Sequence, residues 1–479
     1  MNPHSPSSCC PRLRAGARRL AGSPPDVLAA LFAPRLSLDV PYPVRFRERL
    51  FTPLRTFWLF LAQVLSPGGS CAEAVQRALA WFAATDGPDA SPNTSAYCQA
   101  RCRLNGAWLT AISQRATEHV ERQTPESWLW HGHPVKVPDG SSVSMPDTPE
   151  NQARWPQPKG QRPGCGFPIA RIAGVFSLAT GSLLALANGS LHSHERLLFR
   201  RLIDSVLRPG DIALADRGFC SFADFYQLLR RNVNSVMRRH ARLKHDVGLR
   251  RVGRLGRGDL LMDWHRCAVP SDGYTHAEWN ALPETLRVRE ITVPVTIPGF
   301  RTRMIVLLTT LLDPAEYPAR DFADLYRRRW EVETDLRHIK TTLRMEVLRG
   351  KSPEMIEKEL TAYQIAYNLI RGLMIEAAGS RDLGLASISF KATAAAVRHW
   401  APLLSRADDE DLLCLHERFL ASIARHPVPQ RPNRNEPRAL KRRPKNYPRL
   451  TQPRHSYREI LHRNRYTKAR KPERPTSPR

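Results

Sequence analysis

Acidic residues are scarce in this 479-residue chain: 45 Asp and Glu face 73 Lys and Arg, a formal charge of +28 before histidine. That imbalance excludes little about fold, but it selects a polyanionic partner, either nucleic acid or an anionic membrane face. A membrane-crossing run is also missing. Residues 172–191 hold no Asp, Glu, Lys or Arg, yet Ser177, Thr180, Gly181 and Ser182 interrupt them. Two apolar strands turning at Thr180-Gly181 suit that pattern better than a lipid-facing helix. The nine cysteines include no CxxC pair, which points to reduced cytosolic thiols. His131 and His133, like His192 and His194, lie two apart without a cysteine pair to complete a zinc set, so they read as solvated histidines. No acid occurs in the first 25 residues, and the apolar run from Val27 to Phe32 is too short and too late for a secretory signal. Residues 1–45 therefore read as a basic, flexible arm.

What is present is ordinary globular material, 42% hydrophobic and 25% charged, enough for roughly two to four folding units. Residues 46–130 read as a helical unit decorated by Arg45, Arg47, Arg49, Arg101 and Arg103, a candidate DNA-binding domain. Leu54 to Leu65 is its first apolar run, Val75, Ala78, Leu79 and Phe82 recur at helical spacing, and Ser91-Pro92 is expected to open a further helix. From 131 to 240 the pattern alternates differently. Strands are expected over 135–145, 172–179, 183–187, 211–215 and 235–238, with helices over 195–207 and 222–231, giving a mixed α/β sheet. Residues 241–311 read as a β-rich insertion with a turn at Pro298-Gly299, entered by a stretch from Arg238 to Arg257 holding eight Lys and Arg and one acid. Helices follow over 320–346 and 353–377, the second with Ser352 as cap, and two weaker helical segments reach to about 424; residues 312–400 read as the second part of the core and 401–424 as a C-terminal helix. The tail, 425–479, carries 18 Lys and Arg against 3 Glu and holds 10 of the 40 prolines, too little apolar surface to order itself.

The helix expected after residue 320 carries the chemistry. At about 100° per residue, Tyr326, Glu333, Lys340 and Arg329 fall within about 60° of one another, on one face. Leu325, Val332, Leu336, Ile339 and Leu343 form an adjoining apolar stripe that would anchor the helix to the sheet. A carboxylate stands there between two cations. As an isolated feature, an Arg329–Glu333 pair at i,i+4 is worth only about 0.2–0.5 kcal/mol.

The spacing Tyr326-x2-Arg329-x3-Glu333-x6-Lys340 resembles the signature of the DDE-type insertion-sequence transposases of the IS4 type. Further matches run from Asp139 to Gln152, from Ala215 to Phe219, from Arg49 to Leu54, at Tyr97-Cys98, and from Glu436 to Pro444. The resemblance implies a ribonuclease H-like core, an α/β mixed sheet with a β-rich insertion, an N-terminal helical domain and C-terminal helices. Its three acidic residues, carried over, are Asp139 on the first strand, Asp216 at the end of the fourth and Glu333 on the late helix. Asp147 is the alternative first acid, because Pro138-Asp139-Gly140 alone reads as a turn. Three carboxylates suit Mg²⁺ or Mn²⁺, and the resemblance implies two ions that activate a nucleophile and stabilise an in-line phosphoryl displacement. Tyr326, Arg329, Lys340 and Arg217 are the candidate DNA-binding residues, Arg329 and Lys340 for phosphates. The implied partners are double-stranded DNA, as element ends and as target, and a second copy of the chain once two ends are engaged. Its setting would be the nucleoid of a bacterial cytoplasm, with no membrane. Cut-and-paste transposition, through a hairpin intermediate, is the activity implied. Two alternatives are a transposase-derived DNA-binding protein without catalysis and a ribonuclease H-like nuclease without strand transfer. No residue is assigned to stack on an extruded base, although Trp264 and Trp279 lie in the insertion.

Overall fold

The computed structural model describes residues 28–36, 40–47, 49–85, 87–245, 248–270, 273–294 and 304–428, together with Leu450 and Pro453. The expectations for residues 1–27 and for nearly all of the basic tail, including Glu436 to Pro444, lie outside the described residues.

Among the described residues five helices come first: α1 (Ala29–Leu36), α2 (Pro53–Leu65), α3 (Cys71–Ala84), α4 (Ser95–Arg103) and α5 (Gly106–Glu121). Side chains that accept the orphan amides of the first turn set three of their starts: Thr52 for α2, Ser70 for α3 and Asn105 for α5. Two expectations fail here. Ser91-Pro92 does not begin a helix; Ser91 and Asn93 each accept a backbone N–H two residues on, and this local turn delays the start to Ser95. Nor does the basic arm extend to residue 45. Leu28, Leu31, Phe32 and Leu36 are buried in the main apolar core, because their spacing gives α1 a single apolar face.

The sheet follows. Its strands are β1 (Val135–Ser144), β2 (Ile169–Ser177), β3 (Leu183–Ser190), β4 (Ile212–Ala215), β5 (Asn234–Arg238), β6 (Leu249–Gly256), β7 (Asp259–His265), β8 (Thr285–Pro294) and β9 (Met304–Thr309). Their spatial order is β3-β2-β1-β4-β5-β9-β8-β7-β6. The hairpin β2–β3 turns at Thr180-Gly181 as expected, with Gly181 at φ +67°. β1, β4 and β5 run parallel while β2 and β3 are antiparallel to their neighbours, the arrangement of a ribonuclease H-like core. The insertion does not stand apart: β9 pairs with β5, so β6 to β9 extend the same sheet. The helix expected over 195–207 is two short pieces, α7 (Glu195–Arg200) and α8 (Ile203–Val206), interrupted at Arg201-Leu202.

After the sheet come α11 (Asp321–Arg328), α12 (Trp330–Arg337), α13 (Pro353–Gly379), α14 (Phe390–Leu404) and α15 (Asp409–Ala424); α6 (Pro149–Arg154), α9 (Phe222–Leu229) and α10 (His276–Asn280) lie between strands. Ser352 caps α13, most of whose residues are buried. One apolar cluster joins α1, α2, α5, the β1–β2 face, α13, α14 and α15, and a second lies under α9 between β4 and the insertion strands. Among the described residues no helix is long and apolar enough to cross a membrane.

Candidate active site

Strand register puts two of the acids level. The last parallel pairs between β1 and β4 are Val135 with Ile212 and Lys136 with Ala213. Asp139 and Asp216 each lie three residues beyond the second pair, so the continued register sets them side by side, Asp139 midway along β1 where its pairing with β4 has ended and Asp216 just past the end of β4. Pro138 does not disturb β1. The Ile212 N–H donates to the Pro134 carbonyl, which directs residues 134, 136 and 138 toward β4, and that ladder has ended by Pro138. Asp216 caps its own turn, accepting the Gly218 N–H at 2.8 Å, and Asp139 accepts the Gly140 N–H at 2.9 Å.

The third acid arrives on α12. The helix expected to run unbroken through this region is divided at Arg329, and a π-helical turn, His338–Thr342, follows α12. Leu343 N–H reaches back five residues to the His338 carbonyl, so positions past 338 no longer follow a 100° phase. Lys340 still faces the sheet: its Nζ donates to Ser141 Oγ at 2.8 Å, two residues past Asp139. Arg329 Nη2 donates to Glu333 Oε1 at 2.9 Å, with Arg329 8% and Glu333 55% exposed. The Arg329 guanidinium also lies 5.7 Å from the Tyr326 ring and 5.4 Å from the Trp330 ring.

The charges feel one another. Burial first, then Glu333 and Asp216, push the Asp139 carboxyl up to about 6, against the pull of the Gly140 amide and of Arg329. Burial also raises the Tyr326 phenol, with Arg329 and Arg238 opposing and Asp216 adding to the rise. Tyr326, a candidate DNA-binding residue by sequence, is 2% exposed and supports Arg329 from within the core instead of lying open to DNA. Arg217 is exposed beside Asp216. Asp147 is exposed beyond the end of β1, accepting from Gln152 at 2.7 Å.

The donor set suits a hard divalent cation: three oxygen acids and no sulfur. Among the described residues, however, no three acidic, imidazole or thiol groups converge into a finished metal cage. The arrangement explains why, since Glu333 is turned to Arg329 and neutralised there. Beside Asp216 a cavity of about 960 Å³ opens between the core and the insertion, lined by Arg171, His192, His240, Arg242 and Lys244 among others.

A family model described as a transposase DDE domain matches residues 130–369, half of the chain, including all three acids and the Tyr-Arg-Glu-Lys spacing. The chain belongs to the DDE transposase family. Members are metal-dependent enzymes that cleave DNA. A relative, transposase InsG for insertion sequence element IS4 of Escherichia coli strain K12, is 29% identical over 364 residues, 74% of this chain and 78% of that one. The transposase for insertion sequence element IS421 of Escherichia coli is 40% identical over 65 residues, 14% of this chain and 18% of that one. A solved structure, of the piggyBac transposase synaptic complex with hairpin DNA, covers 91% of this chain and 88% of that one at TM-score 0.40 and 8% identity.

Several residues of this transposase serve other ends than the sequence suggested. Trp264 and Trp279 are 5% and 1% exposed; the first packs edge-on against Phe222 and Phe225, and the second donates to the Cys267 carbonyl. They are core aromatics, not stacking platforms. His131 pairs with Asp321, and His133 bridges the Gly210 carbonyl and the Tyr317 hydroxyl, so both clip the entry to β1. Buried partners that sequence reading missed include Asp335 on α12 and Arg371 on α13, 3.4 Å apart; two opposite charges on different helices, 36 residues apart in sequence, leave no local signal.

Proposed function

We propose that Asp139, Asp216 and Glu333 together hold the divalent cations with which this transposase cuts the inverted ends of its element and joins them to target DNA. The observation that carries the reading is the β1–β4 register, which sets Asp139 and Asp216 side by side, with α12 bringing Glu333 into their field. Two ions there would neutralise the three acids, lower the pKa of a bound water and stabilise the attacking and leaving oxygens. Glu333 would exchange Arg329 for this role, and Arg329, released, would meet a backbone phosphate. Lys340, held by Ser141 on the same strand as Asp139, fixes a second phosphate, and exposed Arg217 a third. Water is the first nucleophile and a 3′-hydroxyl of the cut end the next, both placed by these contacts. Arg250, Arg251, Arg254 and Arg257, exposed along the edge strand β6 and its turn, extend the basic track for duplex DNA. Two copies would pair two ends.

Purified protein is mixed with duplex bearing the terminal repeats that flank its coding region, with Mg²⁺ or with EDTA. Cleaved ends and joined product are expected only with Mg²⁺, and Asp139→Ala, Asp216→Ala and Glu333→Ala should each bind ends without cutting them. Wild-type cleavage by Glu333→Ala sinks the reading. Binding without any cleavage would favour a transposase-derived binding protein, and nicks without joined product a plain nuclease.

A further inference from the structure

Glu333 and Asp335 lie two residues apart, about 200° around the helix, so α12 is gripped on opposite flanks. Arg329 holds the Glu333 side. On the other side Asp335 Oδ1 meets Arg371 Nη1 at 3.4 Å, both residues under a tenth exposed, and His338 Nδ1 at 3.7 Å. The His338 ring is stacked on Phe390 at 4.7 Å, which closes this flank against α14.

Arg371 is a junction. Its Nε donates to the Thr180 carbonyl at 2.8 Å, and one turn earlier on α13 the Tyr367 hydroxyl donates to the Gly181 carbonyl at 2.6 Å. Asn368 exchanges two hydrogen bonds with the Leu183 backbone at the start of β3. The β2–β3 turn is thus sewn to α13, and Arg371 passes that fixed position on to α12. Gly181 has a reason to be glycine: beyond its φ of +67°, a methyl group there would fall on the Arg371 guanidinium. Arg328, at the end of α11, reaches the Leu178 carbonyl at 3.0 Å and ties the preceding helix to the same hairpin.

We propose that Asp335 and Arg371 are positioning residues: through the β2–β3 turn they set how Glu333 projects toward Asp139 and Asp216, and so how tightly the site grips divalent cations. The inference rests on Glu333 belonging to the cation-binding set. A buried ion pair is poor evidence for stability, because an apolar pair of similar volume often folds as well or better. What the pair supplies here is direction, since it links a helix flank to a fixed backbone carbonyl.

The test is the Mg²⁺ concentration that half-saturates end cleavage, read beside end-DNA affinity in EDTA and melting temperature. Asp335→Asn and the double variant Asp335→Leu/Arg371→Met are expected to raise the half-saturating Mg²⁺ about tenfold or more, with end affinity within about twofold of wild type. Arg371→Lys, which keeps the charge but not the fork, should fall between. If Asp335→Asn fails to fold, the double variant decides. A folded double variant with the wild-type Mg²⁺ requirement overturns the proposal, as does a parallel loss of end binding. Glu333→Ala is run alongside: its loss of cleavage at every Mg²⁺ concentration keeps the site reading intact whatever Asp335 does, whereas its full activity would bring down the site reading itself.

Discussion

Replacing Asp139 by Asn should make the metal-free protein more stable at neutral pH while abolishing cleavage. Burial and the like charges of Glu333 and Asp216 push this carboxyl from 3.8 up to about 6, so the folded chain holds the proton more tightly than the unfolded chain does. The stabilisation from that proton is fully present below 3.8 and is lost as pH rises through about 6. A shift of about two units at ~1.4 kcal/mol each gives an upper figure of ~3 kcal/mol, which partial exposure trims to about 2 kcal/mol. Asparagine has no proton to lose and escapes the penalty. Thermal melts in EDTA from about pH 4 to pH 8 should show the variant's advantage growing from almost nothing to a few degrees by about pH 7, then levelling. Added Mg²⁺ should reverse the order, stabilising wild type by ~2.7 kcal/mol at a hundredfold excess over its Kd and leaving the variant unmoved. A variant no more stable than wild type at neutral pH, or equally stabilised by Mg²⁺, would refute the reasoning.

Three further outcomes are expected. Lys340→Ala should weaken end binding and flatten its salt dependence by about one charge, as measured by the slope of log affinity against log salt. Buried Arg35 on α1 pairs with Glu376, 18% exposed, and contacts buried His416, so Arg35→Ala should cost about 3 kcal/mol in denaturant melts by leaving a largely buried carboxylate unmatched. Glu121 is held below the usual carboxylate range because Lys136, Thr180 and Ser182 together outweigh its burial. Its contribution is present above the unfolded value of 4.5 and lost as pH falls through the lower folded one, so Glu121→Gln should destabilise at pH 7 and converge with wild type in acid.

The strands and helices that carry Asp139, Asp216 and Glu333 were legible because each announces itself locally: an apolar run bounded by turn residues, or a stripe at helical period. The break at Arg329 and the π-turn after α12 were not. They depend on Lys340 and Leu343 reaching sheet and core at once, a tertiary demand that a fixed 100° step cannot register. Tyr326 shared the phase of Glu333 in projection but sits on the inward edge of that face, where Arg329 covers it. The insertion's β-pattern was evident, whereas its merger with the core sheet through β5 and β9 is a long-range pairing without a sequence mark. α1 was hidden by composition: seven of its eight residues are uncharged, yet it follows a basic segment that pulled the whole stretch toward a solvated reading.

The most direct measurement is anomalous diffraction from crystals of the end-DNA complex grown with Mn²⁺. The account predicts manganese peaks within about 2.0–2.6 Å of carboxylate oxygens from Asp139, Asp216 and Glu333, with Glu333 turned away from Arg329. Manganese bound without any of the three, while Glu333 stays on Arg329 in a complex that cuts DNA when warmed, would contradict it.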